Sequence, residues 1–226
     1  MESFRIDSEF RIDKITLNRV LPAVFRGEGA PGSDVWLSGL TFTRPENLLV
    51  EARSGGGKSS LISFIYGARI DYDGEILFNG HPVSLLTPGQ WQLIRRRHLA
   101  WLPQDLMLFS ELTAIENIRL KNSLTGNYQG EERIRTWLCE LGLEERIDWP
   151  AGRLSVGQMQ RVAIVRALCQ PFDFLLIDEP VSHLDEHNNR IAASIIAEEA
   201  RRQQAGIIAT SVGNPILLDY SSRHSL

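Results

Sequence analysis

The sequence has little of what marks a secreted, membrane-spanning or metal-rich protein. Its only two cysteines, Cys139 and Cys169, each lie in a helix-like pattern, which predicts packed, reduced core thiols instead of a disulfide framework or a metal cluster. No apolar run approaches the roughly 18 residues that a spanning helix needs. The N-terminus lacks the basic region and the apolar region of a secretory signal. These absences predict a soluble, cytosolic protein.

Positive charge is also not in excess. The chain has 24 Lys and Arg residues against 28 Asp and Glu residues, a formal net charge of -4 over 226 residues. Its overall field therefore does not attract nucleic acid or an anionic membrane. The short basic run Arg95-Arg96-Arg97-His98 is interpreted as a solvated helix face, and no nucleic-acid partner is expected.

The apolar periodicity predicts a mixed α/β fold in a chain long enough to bury a sizeable core. Strand patterns cover segments 10–25, 35–42, 48–51, 75–78, 174–177 and 206–210. The Asn79-Gly80 turn favours a hairpin after segment 75–78. Helical patterns cover segments 59–66, 157–169 and 185–204. From 87 to about 143 the pattern is mostly helical and more charged, which predicts an inserted helical lobe.

A phosphate-binding loop is the first motif with a chemical meaning. Residues 52–59, ARSGGGKS, match its pattern except that Ala52 replaces the first glycine. Successive glycines let backbone N–H groups wrap a phosphate, and the N-terminus of the next helix adds positive charge. The alternative is a flexible glycine-rich turn, which the strand before the loop and the helix after it disfavour. The residues expected to hold a nucleotide here are Ser54, Gly55, Gly56, Gly57, Lys58, Ser59 and Ser60.

A pair of carboxylates follows a buried strand further along the chain. The apolar run 174–177 ends in Asp178 and Glu179, and ligands bind at the carboxyl ends of parallel strands. Alone, such a pair indicates helix capping or solvated turn charge, whereas with a phosphate loop it predicts a magnesium nucleotide. Ser59 and Asp178 would then bind Mg²⁺, and Lys58 would reach the β- and γ-phosphates.

Between these two motifs lies the run LSVGQ at 154–158. A capped helix start would explain these five residues equally well, but their place between the phosphate loop and the acidic strand is specific. In this order the three motifs resemble the ATP-binding subunit of ABC transporters, over nearly the whole chain. Segments 93–97 and 112–117, with Gln104 between them, look most like the subunits that power lipoprotein release and macrolide export.

The resemblance implies roles for further residues. Glu179 resembles the general base that orients the attacking water. Gln104, in the run LPQD, would bind Mg²⁺ or that water and report the nucleotide state to a membrane partner. A nucleotide on the opposite protomer would be gripped by Ser155, Gly157 and Gln158. Residues 182–185, SHLD, resemble the loop along the dimer seam, where Asp185 is also a candidate helix N-cap.

Two positions depart from the family's pattern, and one role has two candidates. Val156 stands at a usual glycine, and Ser211 stands where the family has its switch histidine. A serine can hydrogen-bond a phosphate oxygen but lacks the reach and charge of histidine, which predicts slow or substrate-gated turnover. Phe25 is expected to stack on adenine, with Trp36 as the alternative.

The implied architecture is a P-loop NTPase with a RecA-like core, an N-terminal antiparallel β subdomain and an inserted α-helical subdomain. The approximate bounds are 1–86 for the β subdomain and phosphate-loop core, 87–153 for the helical subdomain and 154–226 for the rest of the core. Together they would form one ABC ATPase domain over residues 1–226.

The implied function is that of an ATP-binding subunit. It would use ATP and Mg²⁺ in a head-to-tail homodimer or pseudo-dimer to drive an integral membrane permease, in an exporter or an envelope lipoprotein or efflux system. It would be cytoplasmic and peripheral on the cytoplasmic face of the membrane. Two alternatives stay open: a regulatory ABC module with slow or vestigial hydrolysis, and a soluble ABC ATPase without a transport role.

Overall fold

The computed structural model describes residues 6, 9–27, 32–53, 55–179, 181 and 183–226. Its strands are Lys14–Pro22 (β1), Thr41–Thr43 (β2), Asn47–Glu51 (β3), Tyr72–Phe78 (β4), His81–Pro82 (β5), Leu99–Leu102 (β6), Phe174–Asp178 (β7), Gly206–Ser211 (β8) and Ser222–Ser225 (β9). Its α-helices are Lys58–Ile65 (α1), Pro88–Arg97 (α2), Ala114–Leu124 (α3), Glu131–Glu140 (α4), Val156–Ala167 (α5) and Glu186–Gln203 (α6). Within these described ranges, no helix is long and apolar enough to cross a bilayer.

A parallel sheet lies at the centre of the molecule. Its strand order is β6-β7-β8-β3-β9, and each neighbouring pair is parallel. Every residue of β7 and β8 is buried, because both faces of a parallel sheet are normally covered. A second, antiparallel sheet has the order β2-β1-β4-β5 and contains the hairpin predicted at Asn79-Gly80.

Two apolar clusters cover the two faces of the parallel sheet. Along β7, Phe174 and Leu176 enter the cluster formed with α1 and the antiparallel sheet. Leu175 and Ile177 enter the other cluster, which also holds apolar side chains of α3 to α6. This alternation is the period of two that a strand requires. Packing on both faces fixes the position of the strand ends between the two layers.

The strand predicted over 35–42 is wrong for most of its length, because the strand here is Thr41–Thr43. Ser33 Oγ accepts hydrogen bonds from the N–H groups of Val35 and Trp36, at 3.1 and 2.8 Å. Leu37 has a positive φ of 60°. The Ser33 side chain therefore closes a turn where the apolar pattern predicted a strand.

Two strands of the parallel sheet were not predicted. Leu99–Leu102, inside the segment predicted to be mostly helical, pairs with β7 as β6. An apolar run of this length does not separate a strand from a helix by its periodicity. Ser222–Ser225 is a polar run, yet its backbone pairs with β3 at the sheet edge.

The interpretation of the basic run is correct in part. Arg96 and Arg97 are exposed, as a solvated helix face requires. Arg95, by contrast, donates hydrogen bonds to the carbonyl oxygens of Tyr66 and Gly67 and is partly buried. His98, between α2 and β6, is buried, and its ring hydrogen-bonds the Asp173 carboxylate at 2.7 Å.

The prediction for the two thiols is also correct in part. Cys169 is buried, and burial raises the pKa of its thiol. Cys139 is exposed near the end of α4, so it is not a core thiol.

Candidate functional site

The carboxyl ends of three neighbouring strands meet at one edge of the parallel sheet. Glu51 at the end of β3 pairs with Ser211 of β8, and Asp178 at the end of β7 pairs with Thr210. The phosphate-loop sequence continues from β3 into α1. Because parallel strands present their carboxyl ends at the same edge, the fold brings this loop and the acidic pair together.

The loop backbone fits an anion. Gly57, directly before α1, has a φ of 93°, a left-handed conformation that favours glycine. A Cβ at Gly56 would lie 2.9 Å from Ala52 Cβ, so a side chain there would fill the loop. Trp36 Nε1 donates a hydrogen bond to the Gly56 carbonyl oxygen at 3.2 Å and so supports the loop. Ser54, which was also predicted to contact the nucleotide, lies outside the described residues.

Lys58 and Glu179 form an ion pair at this loop. Lys58 is the first residue of α1 and is 5% exposed. Its Nζ lies 3.3 Å from Glu179 Oε1, and 3.4 and 3.2 Å from the carbonyl oxygens of Ala52 and Arg53. A buried ammonium group needs such partners. The predicted phosphate-binding lysine and the predicted general base are therefore in direct contact.

Asp178 is buried between two hydroxyl groups. Thr210 Oγ1 donates to Asp178 Oδ1 at 2.8 Å, and Ser59 of α1 lines the same cavity as this carboxylate. Burial raises the pKa of Asp178, and the hydroxyl groups of Ser59 and Thr210 oppose that rise in part. Carboxylate and hydroxyl oxygens are hard ligands of the kind that Mg²⁺ takes, so Ser59 and Asp178 fit the metal role predicted for them.

Glu179 leaves β7 in an unusual backbone conformation. Its φ is 49°, which is uncommon for a residue other than glycine. Strain of this kind collects at functional sites. The side chain is 19% exposed, so its carboxylate is accessible to water while it contacts Lys58.

One cavity is lined by the phosphate loop, by Glu179 and by Gln104, which follows β6. Gln104 is exposed, and it also lines an adjoining cavity together with Ser59 and Asp178. The lining residues of the first cavity, called the phosphate-loop cavity below, are Gly55, Gly57, Lys58, Ser59, Ser60, Gln104, Glu179 and Val212. Most of the predicted loop, metal and catalytic residues therefore converge.

Ser211 is not brought to this cavity. It is 2% exposed, and its Oγ has no hydrogen-bond partner in the part of the chain that the structure describes. Ile207 and Ala209, on the same face of β8, pack in the cluster with α5 and α6, so the Ser211 side chain lies on the face away from α1. Its carbonyl accepts the Ala52 N–H at 3.2 Å. Ser211 therefore supports the start of the loop through its backbone.

Both candidate adenine-stacking rings lie beside the loop. A Cβ at Gly57 would be 3.3 Å from Phe25 Cε2 and 3.1 Å from Trp36 Cζ2. Trp36 is 3% exposed and is engaged with the loop carbonyl. Phe25, in the 3-10 helix Ala23–Phe25, is only half-buried. The more accessible ring is therefore that of Phe25.

The LSVGQ run begins α5, away from the phosphate-loop cavity of its own chain. Ser155 is the N-cap: its Oγ accepts from Gln158 N at 3.2 Å, and its N–H donates to Gln158 Oε1 at 2.9 Å. Ser155, Gly157 and Gln158 are not among the described residues that line the phosphate-loop cavity. Ser155 and Val156 are exposed. The helix start is thus well formed and open to the surface.

The segment after the acidic strand packs on this helix start. A Cβ at Gly157 would lie 2.8 Å from the His183 carbonyl oxygen, and the His183 N–H donates to Gln160 Oε1 at 3.3 Å. Asp185 caps α6 by accepting from Asn188 N at 2.8 Å, as predicted. Ser182, in the same SHLD run, lies outside the described residues.

Several contacts of the site could not be found by motif. The bonds of Thr210 to Asp178 and of Trp36 to the loop join residues far apart in the chain, and neither residue type is distinctive alone. The only sequence signal for Thr210 was its position, as a polar residue near the end of an apolar strand.

Comparison with known proteins places this geometry in a family. The family described as ABC transporter matches residues 38–182, more than half of the chain. The macrolide export ATP-binding/permease protein MacB of Salmonella choleraesuis is 34% identical over 167 residues, which cover 73% of this chain and 26% of that protein. The chain thus spans about a quarter of the length of the MacB relatives that it matches. The lipoprotein-releasing system ATP-binding protein LolD 2 of Chlorobaculum tepidum is 32% identical over 176 residues, 75% of this chain and 71% of that protein.

Solved structures give the same result. The dimeric structure of MJ0796, a bacterial ABC transporter cassette, superposes with a TM-score of 0.69 at 25% identity, covering 87% of both chains. The post-hydrolysis state of that cassette bound to ADP and Pi superposes with a TM-score of 0.70, covering 88% of both chains. The predicted resemblance and the predicted P-loop α/β fold are confirmed. With its phosphate loop, LSVGQ helix and acidic strand arranged as described, the chain belongs to the ABC transporter family as one of its ATP-binding cassettes.

Proposed function

We propose that this cassette hydrolyses MgATP in a head-to-tail dimer and that the cycle of closure and reopening drives a membrane permease. The observation that carries the proposal is the convergence of Lys58, Gln104 and Glu179 on the cavity of the phosphate loop. Each is a residue type that phosphoryl transfer uses, for charge neutralisation, metal or water binding, and proton acceptance.

The chain's own residues divide this work. Backbone N–H groups of the loop and the Lys58 ammonium would hold the β- and γ-phosphates, while Ser59, Asp178 and Gln104 would hold Mg²⁺. A bound magnesium ion would supply charge neutralisation for the phosphates. Lys58 now contacts Glu179, and phosphate oxygens would compete for the same ammonium. Binding would thereby free the Glu179 carboxylate to accept a proton from water.

The exposed start of α5 supports the dimer. The Ser155 hydroxyl has one proton to donate and two lone pairs, and its capping bond with the Gln158 N–H uses only a lone pair. Thr87 at α2 and Thr113 at α3 form comparable capping boxes, and each threonine hydroxyl donates its proton to the side chain three residues later. The Ser155 hydroxyl, by contrast, donates to no described residue. That proton and the N–H groups in the first turn of α5 are suited to a phosphate on a second chain.

An apolar groove beside Gln104 supports the permease partner. Its exposed side chains include Met107, Phe109 and Leu124, at 53%, 54% and 62% exposure. Exposed apolar surface of this kind marks an interaction site. We place a cytoplasmic segment of the permease in this groove, with the cassette peripheral on the cytoplasmic face. The likeness to MacB and LolD 2 favours an exporter or envelope lipoprotein system.

A Glu179→Gln variant tests the hydrolysis. Phosphate release should fall by about 10²–10⁴-fold, the usual contribution of a general base, while ATP binding persists because Lys58 and the loop are intact. Equal phosphate release from wild type and variant would refute hydrolysis at this site. It would favour the second candidate, a regulatory module with vestigial hydrolysis, for which the buried position of Ser211 is the specific observation.

The permease proposal has its own test. A membrane protein with a large extracytoplasmic domain should copurify with the wild-type chain, and Phe109→Asp should abolish that association without changing ATP affinity. Copurification with an importer permease and a binding protein would contradict the exporter assignment.

A further inference from the structure

Thr210 is the residue of β8 that lies directly beside Asp178. The two are paired in the parallel register of β7 and β8, and Thr210 is 1% and Asp178 2% exposed. Leu176 and Ile208, two residues earlier on the same strands, pack in the cluster that includes the buried side chains of α1. Asp178 and Thr210 therefore continue the sheet face that α1 covers.

The hydrogen bond between them has a defined direction. An ionised carboxylate only accepts, so Thr210 Oγ1 donates to Asp178 Oδ1, at 2.8 Å. The other acceptor near this hydroxyl is the Ile177 carbonyl, at the longer distance of 3.4 Å. The carboxylate is thus held from the sheet by Thr210, and it lines one cavity together with Ser59 of α1.

Threonine is suited to this task. Its β-branched side chain has few accessible χ1 rotamers in a strand, and β8 lies inside the sheet between β7 and β3. A hydroxyl on such an element fixes its partner more accurately than one on a loop. Groups that hydrogen-bond a metal ligand commonly change metal affinity by about 10- to 100-fold when removed.

We propose that Thr210 is a positioning residue that orients the Asp178 carboxylate toward the magnesium site. This inference rests on the proposed function, because it assigns Asp178 to Mg²⁺. Thr210 would act through Asp178 and would not itself be a ligand of the metal. It acts by preventing the carboxylate from rotating away from Ser59.

The test compares Thr210→Val with Thr210→Ser, using a fluorescent ATP analogue in magnesium titrations of the full chain. Thr210→Val removes the donor at nearly constant shape, so the half-saturating Mg²⁺ concentration should rise by about 10-fold or more. Thr210→Ser keeps the donor and should stay within about 3-fold of wild type. Analogue affinity in EDTA should not change in either variant. Thr41→Val, which removes an exposed hydroxyl from the other sheet, is the matched control and should behave as wild type.

A merely structural role gives a different pattern. Unchanged magnesium dependence in Thr210→Val would overturn the inference, and so would an equal loss of affinity with and without Mg²⁺. Thr210→Ala replaces the valine variant if the latter does not fold. If wild type itself binds the analogue without any magnesium dependence, the proposed magnesium site fails, and this inference fails with it. That result is distinguishable because it does not involve the variants.

Discussion

Gly157 marks a close approach between the start of α5 and the segment that follows the acidic strand. It is the second residue of α5, and a Cβ there would lie 2.8 Å from the His183 carbonyl oxygen. Gly89 has the same position in α2, with nothing within 4 Å of the corresponding Cβ. Neither glycine has a positive φ. The two sites therefore differ mainly in the space around them.

Gly157→Ala and Gly89→Ala should consequently change stability in opposite directions. Gly157→Ala should lower the free energy of unfolding by about 1–3 kcal/mol, because the methyl group displaces the His183 backbone. Gly89→Ala should raise it by up to about 1 kcal/mol, because alanine is the better helix former. Urea unfolding measures both. Equal effects of the two substitutions would show that the His183 backbone moves aside without lowering the free energy of unfolding.

The sequence was sufficient for residues whose type and spacing carry the chemistry. The glycines before Lys58 and the pair Asp178-Glu179 lie at one strand edge, where parallel topology led us to expect them. The placement of Ser211 could not be predicted in the same way. Which face of β8 its hydroxyl occupies depends on strand register, and a shift of one residue would reverse it.

Asp173 connects three secondary-structure elements that are distant in sequence, β1, α2 and β7. It directly precedes β7 and is 3% exposed. Its carboxylate accepts from Arg11 Nε at 2.7 Å and Ile12 N at 2.8 Å, before β1, and from His98 Nδ1 at 2.7 Å, after α2. Burial opposes its ionisation, but the bonds from His98, Ile12 and Arg11 outweigh burial and lower the pKa of Asp173. The ionised carboxylate thus ties the antiparallel sheet to the parallel one.

Asp173→Asn should destabilise the chain in a pH-dependent way. Near neutral pH the loss should be about 2–3 kcal/mol, because an amide cannot satisfy all three donors. A lowered pKa in the folded state contributes stability that is present above the unfolded value of about 3.9 and is lost as pH falls through the folded pKa. The difference between wild type and variant should therefore be constant above about pH 5 and shrink in more acidic solution.

Urea unfolding across this pH range checks the prediction. Asp219→Asn, at an exposed carboxylate, is the control and should leave the free energy of unfolding at neutral pH nearly unchanged. A difference that grows on acidification would contradict the assigned direction.

The elements that the sequence did not predict share a physical cause. β6 is a short apolar run and β9 is a polar one, so neither shows a period of two, and both become strands only because a neighbouring strand offers hydrogen-bond partners. The turn over 33–38 forms because Ser33 takes the N–H groups that a strand would have used. Tertiary pairing and side-chain bonds overrode local pattern in each case.

For the assembled protein, the observed and the proposed role of Ser155 must be separated. It caps α5 within its own chain, and it is proposed to contact the nucleotide of a second chain. Thr113 forms an equivalent capping box at α3. Removal of either hydroxyl should cost about 1 kcal/mol of stability, so stability alone does not reveal the second function.

Dimerisation with ATP separates the two functions of Ser155. In a Glu179→Gln background, which retains ATP, sedimentation velocity should show a dimer for Thr113→Ala but a monomer for Ser155→Ala. Ser155→Asp should restore the lost stability, because aspartate is a good N-cap, and should still be monomeric, because its negative charge faces phosphate. A dimer of Ser155→Asp as stable as that of the parent protein would contradict the head-to-tail arrangement. The dimer would then have to close through another surface, with the LSVGQ helix start serving its own chain alone.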